Sequence, residues 1–189
     1  MKNIAIFASG SGTNAENLIR FFRTNPIGRV RIVLTNRPGA GVLKRAQALE
    51  VETVVFSRDQ LYGSAEVLNL LLERQIDFLV LAGFLWLVPE SLLESFENKI
   101  VNIHPALLPK YGGKGMYGDH VHKTVIEAGD SESGITIHYV NQKYDEGDII
   151  FQARCPLEPG DTPASLAGKI HDLEYTHFPR VVEDLLKKL

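Results

Sequence analysis

The chain of 189 residues is 44% hydrophobic and 23% charged, proportions typical of a globular protein rather than of a disordered or fibrous chain. Its formal net charge is -3, which argues against nucleic acid as a partner, because binding to a phosphate backbone needs clustered Lys and Arg. The most apolar stretch, residues 78–88, contains Gly83 and stops at Pro89, well short of the roughly 20 residues that cross a bilayer.

Short runs of β-branched and aromatic residues alternate with segments of helical spacing through the first half of the chain. The predicted strands cover residues 4–8, 30–35, 53–56, 78–82 and 100–104, and the predicted helices cover residues 13–22, 42–49, 64–74 and 89–96. Such alternation is typical of βαβ units, whose crossovers place helices on both faces of a parallel sheet. We therefore expect a doubly wound, mostly parallel, Rossmann-like α/β fold.

The second half of the chain changes character after residue 104. A glycine-rich connection (108–119) and a short helix (121–128) precede two predicted strands at 134–141 and 148–157, joined by the turn residues Asp145-Glu146-Gly147. A hairpin of this kind predicts an antiparallel C-terminal edge on the sheet. Residues 162–188 predict a helix with a break or kink at Pro179, which lacks the amide proton of a helix interior. No linker or repeat interrupts the chain, so residues 1–189 are expected to form one domain.

A glycine loop follows the first predicted strand, with the sequence Ser9-Gly10-Ser11-Gly12-Thr13-Asn14-Ala15 immediately before a helix. Glycines permit close backbone approach, and a helix amino terminus offers free amide protons and partial positive charge to a phosphate. The spacing also fits a dinucleotide fingerprint. However, no Asp or Glu lies between residues 17 and 49 to bind the ribose of NAD. Arg37 could serve an NADP phosphate, and a plain strand-to-helix turn is a further possibility.

The run Ile100-Val101-Asn102-Ile103-His104-Pro105 carries two polar side chains on one face of a predicted strand, because side chains alternate along a strand. Pro105 ends the ladder, so the pair is expected at the carboxyl end of a parallel strand, where α/β sheets bind ligands. Histidine can donate a proton and an Asn amide can donate to an oxyanion. The pattern therefore predicts a polarising pair, although a hydrogen-bonded edge pair without function gives the same sequence.

Asp145 lies in the turn between the last two predicted strands, where Gly147 allows the chain to fold tightly. A carboxylate close to His104 would orient the imidazole, stabilise its charged form and raise its pKa. An aspartate in such a turn is also a common turn former, so the turn alone leaves both interpretations open.

Four separated signatures, taken in order, resemble the glycinamide ribonucleotide (GAR) transformylase family of purine biosynthesis. They are Gly10-Ser11-Gly12-Thr13-Asn14, Leu81-Ala82-Gly83-Phe84, Asn102-Ile103-His104-Pro105-Ala106-Leu107-Leu108-Pro109, and His138 with Asp145-x-Gly147. The resemblance implies the formyltransferase fold and transfer of a formyl group from 10-formyltetrahydrofolate, as co-substrate, to the amine of 5-phosphoribosylglycinamide. It implies that Asn102, His104 and Asp145 are catalytic, the first two stabilising a tetrahedral intermediate.

The same resemblance implies two sets of binding residues. The phosphorylated substrate would contact Gly10, Ser11, Gly12, Thr13, Asn14, His171 and Glu174. The folate would contact Leu85, Trp86, Leu87, Val88, Asn102, Asn141, Gln142, Lys143 and Tyr144. Residues 1–100 would form the phosphate and substrate half, and residues 101–189 the catalytic and folate half. Trp86 stands where the family commonly has Arg, and a tail-binding Arg has no clear counterpart around residues 64–66.

Several other functions compete with this one. A formyltetrahydrofolate hydrolase or a methionyl-tRNA formyltransferase would use the same catalytic residues with another acceptor; such relatives normally carry an extra domain, for which 189 residues leave no room. An NADP-dependent oxidoreductase or a noncatalytic binding module would use the glycine loop differently. Small molecules are the expected partners, and the chain is expected to be a monomer or a homodimer.

Metal and disulfide chemistry are not expected. His120 and His122 form an H-x-H pair, but no third ligand follows at a recognisable spacing. The single cysteine, Cys155, excludes an intrachain disulfide and is expected to be a small apolar strand residue. Because the amino terminus also lacks a signal-peptide pattern, we expect a cytoplasmic protein.

Overall fold

A computed structural model describes residues 1–189, which form one seven-stranded sheet flanked by helices. The strands are β1 (Lys2–Phe7), β2 (Gly28–Thr35), β3 (Glu52–Val55), β4 (Phe78–Leu81), β5 (Ile100–His104), β6 (Glu132–Tyr139) and β7 (Ile149–Pro156). The helices are α1 (Thr13–Arg23), α2 (Gly41–Ala48), α3 (Arg58–Tyr62), α4 (Glu66–Glu73), α5 (Glu90–Ser95), α6 (Asp119–Ala128) and α7 (Pro163–Leu186).

The strand order is β3-β2-β1-β4-β5-β6-β7. Strands β1 to β5 are parallel, whereas β6 pairs antiparallel with β5 and with β7. The doubly wound, mostly parallel fold with an antiparallel C-terminal edge is therefore confirmed. From β1 the chain moves outward to β2 and β3, then returns to β4 and β5 on the other side. The carboxyl ends of β1 and β4 consequently border a crevice, the usual ligand position in such sheets.

Both faces of the sheet are covered by apolar side chains, because successive residues of a strand point to opposite faces. On β1, Ile4 and Ile6 belong to one buried cluster with residues of α1 and α7. Ala5 and Phe7 belong to a second cluster with residues of α4 and α5. This two-sided burial explains why the inner strands appear in the sequence as continuous apolar runs.

Helix α3 was not among the predicted elements. Its five residues are too few for a recognisable helical period. The signal that was present is a capping box, in which the Ser57 side chain accepts from the Gln60 amide and the Gln60 side chain accepts from the Ser57 amide.

Helix α7 runs from Pro163 to Leu186 without interruption, so of the predicted break or kink at Pro179, the break is wrong. Proline leaves the carbonyl four residues earlier without its amide partner. Here the Asn17 side chain of α1 supplies the missing donor, with Nδ2 3.0 Å from the Tyr175 carbonyl oxygen. Pro179 itself is buried with Phe178 and Val182. Packing against α1 therefore stabilises a helix that the local sequence disfavours.

No helix is both long enough and apolar enough to cross a membrane.

Candidate active site

A cavity of about 700 Å³ opens at the carboxyl ends of β1, β4 and β5. Its wall combines the glycine loop, the segment after β4, the end of β5, the glycine-rich loop before α6, and side chains from α6 and α7. The structure brings most of the predicted site residues into this wall: Gly10, Ser11, Gly12, Thr13, Asn14, Leu85, Trp86, Asn102, His104, Tyr144, Asp145, His171 and Glu174.

Five residues predicted to contact folate do not line the cavity: Leu87, Val88, Asn141, Gln142 and Lys143. Val88 is buried in the core on the α4 and α5 face of the sheet. The last three of these residues are exposed, and the Gln142 side chain donates to Glu90. Alternation along an extended segment explains the difference, since only some of its side chains can face the cavity.

The glycine loop presents unpaired amides to the cavity. The carbonyl oxygens of Gly10 and Ser11 are bound by the Val42 amide at 3.2 Å and the Arg45 Nε at 3.0 Å. The amides of Gly10, Ser11 and Gly12 donate to no other group of the protein. Helix α1 begins directly after them, and Gly12 provides no side-chain cap. An anion such as a phosphate is the ligand that these free donors favour.

Gly12 can be replaced by no other residue without strain. Its φ is 80°, a left-handed conformation that favours glycine. A Cβ added there would lie 2.5 Å from the Cα of Val42. The loop can therefore pass this close to α2 only because residue 12 has no side chain.

Glu174 joins the far end of the chain to the glycine loop. Only 6% of Glu174 is exposed, and its Oε2 accepts a hydrogen bond from Asn14 Nδ2 at 2.8 Å. Burial raises the pKa of its carboxyl, and the Asn14 hydrogen bond and the charge of His171 only partly offset this. The Oδ1 of Asn14 is buried without a partner. Together these atoms form a polar part of the cavity wall that can form further hydrogen bonds with a bound ligand.

His104 lies on the buried end of β5 with 3% of its surface exposed. Its Nε2 is 2.7 Å from the Tyr111 carbonyl oxygen, which can only accept, so Nε2 carries a proton. Its Nδ1 is 3.5 Å from Asp145 Oδ2. The proton that His104 gains when it becomes an imidazolium is therefore the one on Nδ1.

Asp145 acts to raise the pKa of His104, as predicted, but it does not decide the direction of the net pKa shift. Burial lowers the pKa of His104, and the opposing effects of the Asp145 charge and the Tyr111 carbonyl are smaller. Desolvation disfavours the charged imidazolium more than one carboxylate at 3.5 Å favours it.

Asp145 reaches the site from a connection that begins beside the amino end of β5. The β6–β7 connection leaves β6 opposite the amino end of β5, since Tyr139 pairs with Val101. A left-handed residue with φ 58° at Asp145 turns its carboxylate back, and the Gly113 amide donates to Oδ2 at 2.9 Å. Burial raises the pKa of Asp145, but His138, His104 and the Gly113 amide together lower it below its ordinary value. The carboxylate is therefore held in its charged form.

His138 is a site residue that sequence reasoning included only as part of a signature. It pairs with Asn102 across β5 and β6, and its Nε2 is 3.1 Å from Asn102 Nδ2 and 3.6 Å from Asp145 Oδ1. The available signal was a histidine next to the apolar Ile137 in a predicted strand, where a buried polar group needs a partner.

Phe84 and Trp86 line the cavity on the side of the segment after β4, and Tyr62, in contact with Trp86, extends this aromatic wall beyond the cavity lining. The rings of Phe84 and Trp86 meet edge to face at 6.4 Å, and Tyr62 and Trp86 are 6.2 Å apart. The Arg58 guanidinium lies 4.9 Å from the Tyr62 ring centre and 5.7 Å from that of Trp86. Sequence reasoning missed this cation because α3, on which it lies, was not predicted.

Comparison with known proteins gives the same family throughout. The chloroplastic phosphoribosylglycinamide formyltransferase of Arabidopsis thaliana is 37% identical over 187 residues, covering 96% of this chain and 64% of that protein. The phosphoribosylglycinamide formyltransferase of Haemophilus influenzae is 34% identical over 188 residues, covering 97% of this chain and 86% of that protein. The chain thus spans less than two thirds of the plant relative and most of the bacterial one.

The crystal structure of phosphoribosylglycinamide formyltransferase from Bacillus halodurans superposes with a TM-score of 0.88 at 39% identity, covering 99% of this chain and 96% of that one. The formyl transferase family model matches residues 2–182. Since this match includes the glycine loop, the β5 pair and the Asp145 turn, the chain belongs to the formyl transferase family.

Proposed function

We propose that this protein transfers a formyl group from 10-formyltetrahydrofolate to the amine of 5-phosphoribosylglycinamide, a step of purine biosynthesis. One observation carries the proposal: the free amides of the glycine loop and the Asn102, His104 and Asp145 side chains line the same cavity. A substrate with a phosphate at one end and an amine at the other matches that arrangement. The names of the similar proteins support the same reaction.

In this proposal the glycine loop and the amino terminus of α1 bind the phosphate. Glu174 accepts hydrogen bonds from the ribose hydroxyls, and the Asn14 amide exchanges hydrogen bonds with them. His171, which also lines the cavity, is a further substrate contact. Because His171 and Glu174 lie in the second half of the chain, the proposed substrate site draws on both the 1–100 half and the 101–189 half.

Asn102, His104 and Asp145 are the proposed catalytic set. The amine nitrogen attacks the formyl carbon, a C–N bond forms, and the carbonyl electron pair moves to oxygen. The His104 imidazolium stabilises that negative charge, and Asp145 stabilises the imidazolium. Collapse of the tetrahedral intermediate restores the carbonyl and breaks the bond to the folate nitrogen, which takes up a proton while the amine loses one. Because the Tyr111 carbonyl holds Nε2–H, this proton transfer uses Nδ1 of His104.

The folate is proposed to bind along the aromatic wall, with Leu85, Trp86 and Tyr144 lining its part of the cavity. Flat rings pack well against aromatic faces and edges. Arg58 places a positive charge on this wall, and we propose that it binds the acidic tail of the folate. The sequence around residues 64–66 offers no arginine for this role. The proposal needs no metal, and the cytoplasmic location stays a prediction.

The direct test is formyl transfer by the purified protein, followed by the absorbance of the tetrahydrofolate product with and without phosphoribosylglycinamide. We expect turnover that depends on both substrates, and a loss of at least about 100-fold in kcat for His104→Gln. The matched control is His120→Gln, since His120 is exposed on α6, and it should keep full activity. Product formation without the amine acceptor would indicate a hydrolase, and no turnover at all would overturn the proposal.

A further inference from the structure

His138 is a buried histidine that the proposed reaction does not use. Only 2% of it is exposed, and it does not line the cavity. It lies directly opposite Asn102 in the β5–β6 pairing, at a register shift between β6 and β7. Any effect of His138 on the reaction must therefore act through a neighbouring residue.

The two ring nitrogens of His138 have different partners, which fixes the position of its proton. Nδ1 is 2.8 Å from the Tyr139 carbonyl oxygen. Because a carbonyl oxygen only accepts, Nδ1 carries the hydrogen, and in the neutral ring Nε2 is left as an acceptor. Nε2 is 3.1 Å from Asn102 Nδ2, so the amide nitrogen of Asn102 donates to it.

A second acceptor faces the same amide nitrogen. Asp145 Oδ1 is 3.4 Å from Asn102 Nδ2. The same Oδ1 is 3.6 Å from His138 Nε2. With a neutral His138 whose Nε2 is bare, a reversed Asn102 amide would place its oxygen against the Nε2 lone pair and a carboxylate oxygen, and both contacts would be repulsive; a charged ring would instead donate from Nε2. With the amide as observed, both N–H groups point toward His138 and Asp145. The Oδ1 of Asn102 has no partner in the protein, and the residue lines the cavity.

We propose that His138 is a positioning residue that holds the Asn102 carbonyl oxygen toward the cavity, where it accepts a hydrogen bond from the attacking amine of the substrate. The inference rests on the proposed function. It gives Asn102 a role different from the amide donor to the oxyanion implied by family resemblance. The amine nitrogen becomes positive as its bond to the formyl carbon forms, so an acceptor fixed beside it stabilises the transition state more than the ground state.

The first test requires no substrate and so stays decisive if the proposed reaction fails. Long-range ¹H–¹⁵N NMR spectra of the full ¹⁵N-labelled chain identify which nitrogen of each histidine is protonated. We expect His138 with a proton on Nδ1 and a bare Nε2, and an Asn102 side-chain amide whose ¹⁵N resonance moves in His138→Asn. A proton on Nε2 of His138, in either a neutral or a charged ring, would overturn the proposal.

The second test separates positioning from structural support by steady-state kinetics. His138→Asn keeps an amide near the Tyr139 carbonyl but loses the acceptor at the level of Nε2, whereas His138→Gln places an amide oxygen at that level. We expect kcat to fall about 10-fold in His138→Asn, as for loss of one hydrogen bond, with KM for the phosphorylated substrate within about twofold. His138→Gln should recover most of the loss. Equal losses in both variants, or an effect on KM alone, would contradict the proposal.

Discussion

At the scale of single residues, Glu174 is a buried carboxyl held near the glycine loop at some cost in stability. Its raised pKa means that the folded state binds its proton more tightly than the unfolded state. The associated stability is fully present below the unfolded pKa and is lost as pH rises through the folded pKa. Residues that bind ligands are often less than optimal for stability.

We therefore expect Glu174→Gln to raise Tm at pH 7 to 8, and the difference from the native chain to shrink as the pH falls toward 5. The same variant should bind the phosphorylated substrate about 10-fold or more weakly, as for loss of a charge-assisted hydrogen bond. Thermal melts across this pH range and titration calorimetry measure both. Asp172→Asn, exposed on the same helix, is the control. A Tm gain that grows toward acid pH would contradict the argument.

Burial lowers the pKa of His104, and the charge of Asp145 raises it by a smaller amount. Asp145→Asn removes that charge, so the pKa of His104 should fall further and less imidazolium should remain at neutral pH. We expect kcat at pH 7.5 to fall by roughly 100-fold or more. The activity lost as pH rises through the His104 pKa should be lost at a lower pH than in the native enzyme. A pH–rate profile tests this. If Asp145→Asn loses activity at the same pH as the native enzyme or at a higher pH, the assigned role is excluded.

At the scale of elements, the contact between the glycine loop and α2 depends on Gly12. A methyl group at this position meets Val42 at 2.5 Å and occupies a left-handed conformation. Gly12→Ala should lower the free energy of unfolding by about 1 to 3 kcal/mol and abolish phosphate binding. Gly10→Ala is the matched control, since nothing lies within 4 Å of its added Cβ, and should leave stability nearly unchanged. Similar denaturant midpoints for the two variants would exclude this account.

The continuity of α7 depends on α1 through the Asn17 side chain. Asn17→Ala leaves the Tyr175 carbonyl without a donor and should destabilise the protein by about 1 kcal/mol. In a Pro179→Ala background the restored amide can serve that carbonyl, so the same Asn17 substitution should have little effect. A double-mutant cycle in urea measures this coupling. Additive effects of the two substitutions would show that the Asn17 contact is incidental.

At the scale of the whole molecule, the cavity wall is drawn from residues far apart in sequence, so ligand binding and global stability are linked. A ligand at 100 times its Kd adds about 2.7 kcal/mol to the free energy of unfolding, equivalent to a rise of roughly 5 to 10 °C in Tm for a domain of this size. We expect 5-phosphoribosylglycinamide to produce this shift and NADP to produce none. A shift with NADP alone would favour the oxidoreductase hypothesis.

The sequence alone determined the parts of this protein that depend on local pattern. Short apolar runs separated by segments of helical spacing predicted the five parallel strands and most helices, because two-sided burial gives continuous apolar strands while each helix keeps a period of about 3.6 residues. The spacing of Asn102 and His104 placed both on one face of β5. The glycine loop was identifiable because a turn that approaches another helix requires residues without side chains.

Only the tertiary structure decided which distant groups meet, and with what consequence. Asn17 rescues a proline 162 positions away on α7, Arg58 lies over the ring of Trp86, and His138 orients Asn102 across a strand pair. The net pKa shift of His104 followed from its burial, and the extent of that burial could not be inferred from the residues next to it in sequence. Hydrogen bonds and desolvation depend on distances of a few ångströms, and these are set by packing of the whole chain rather than by local sequence.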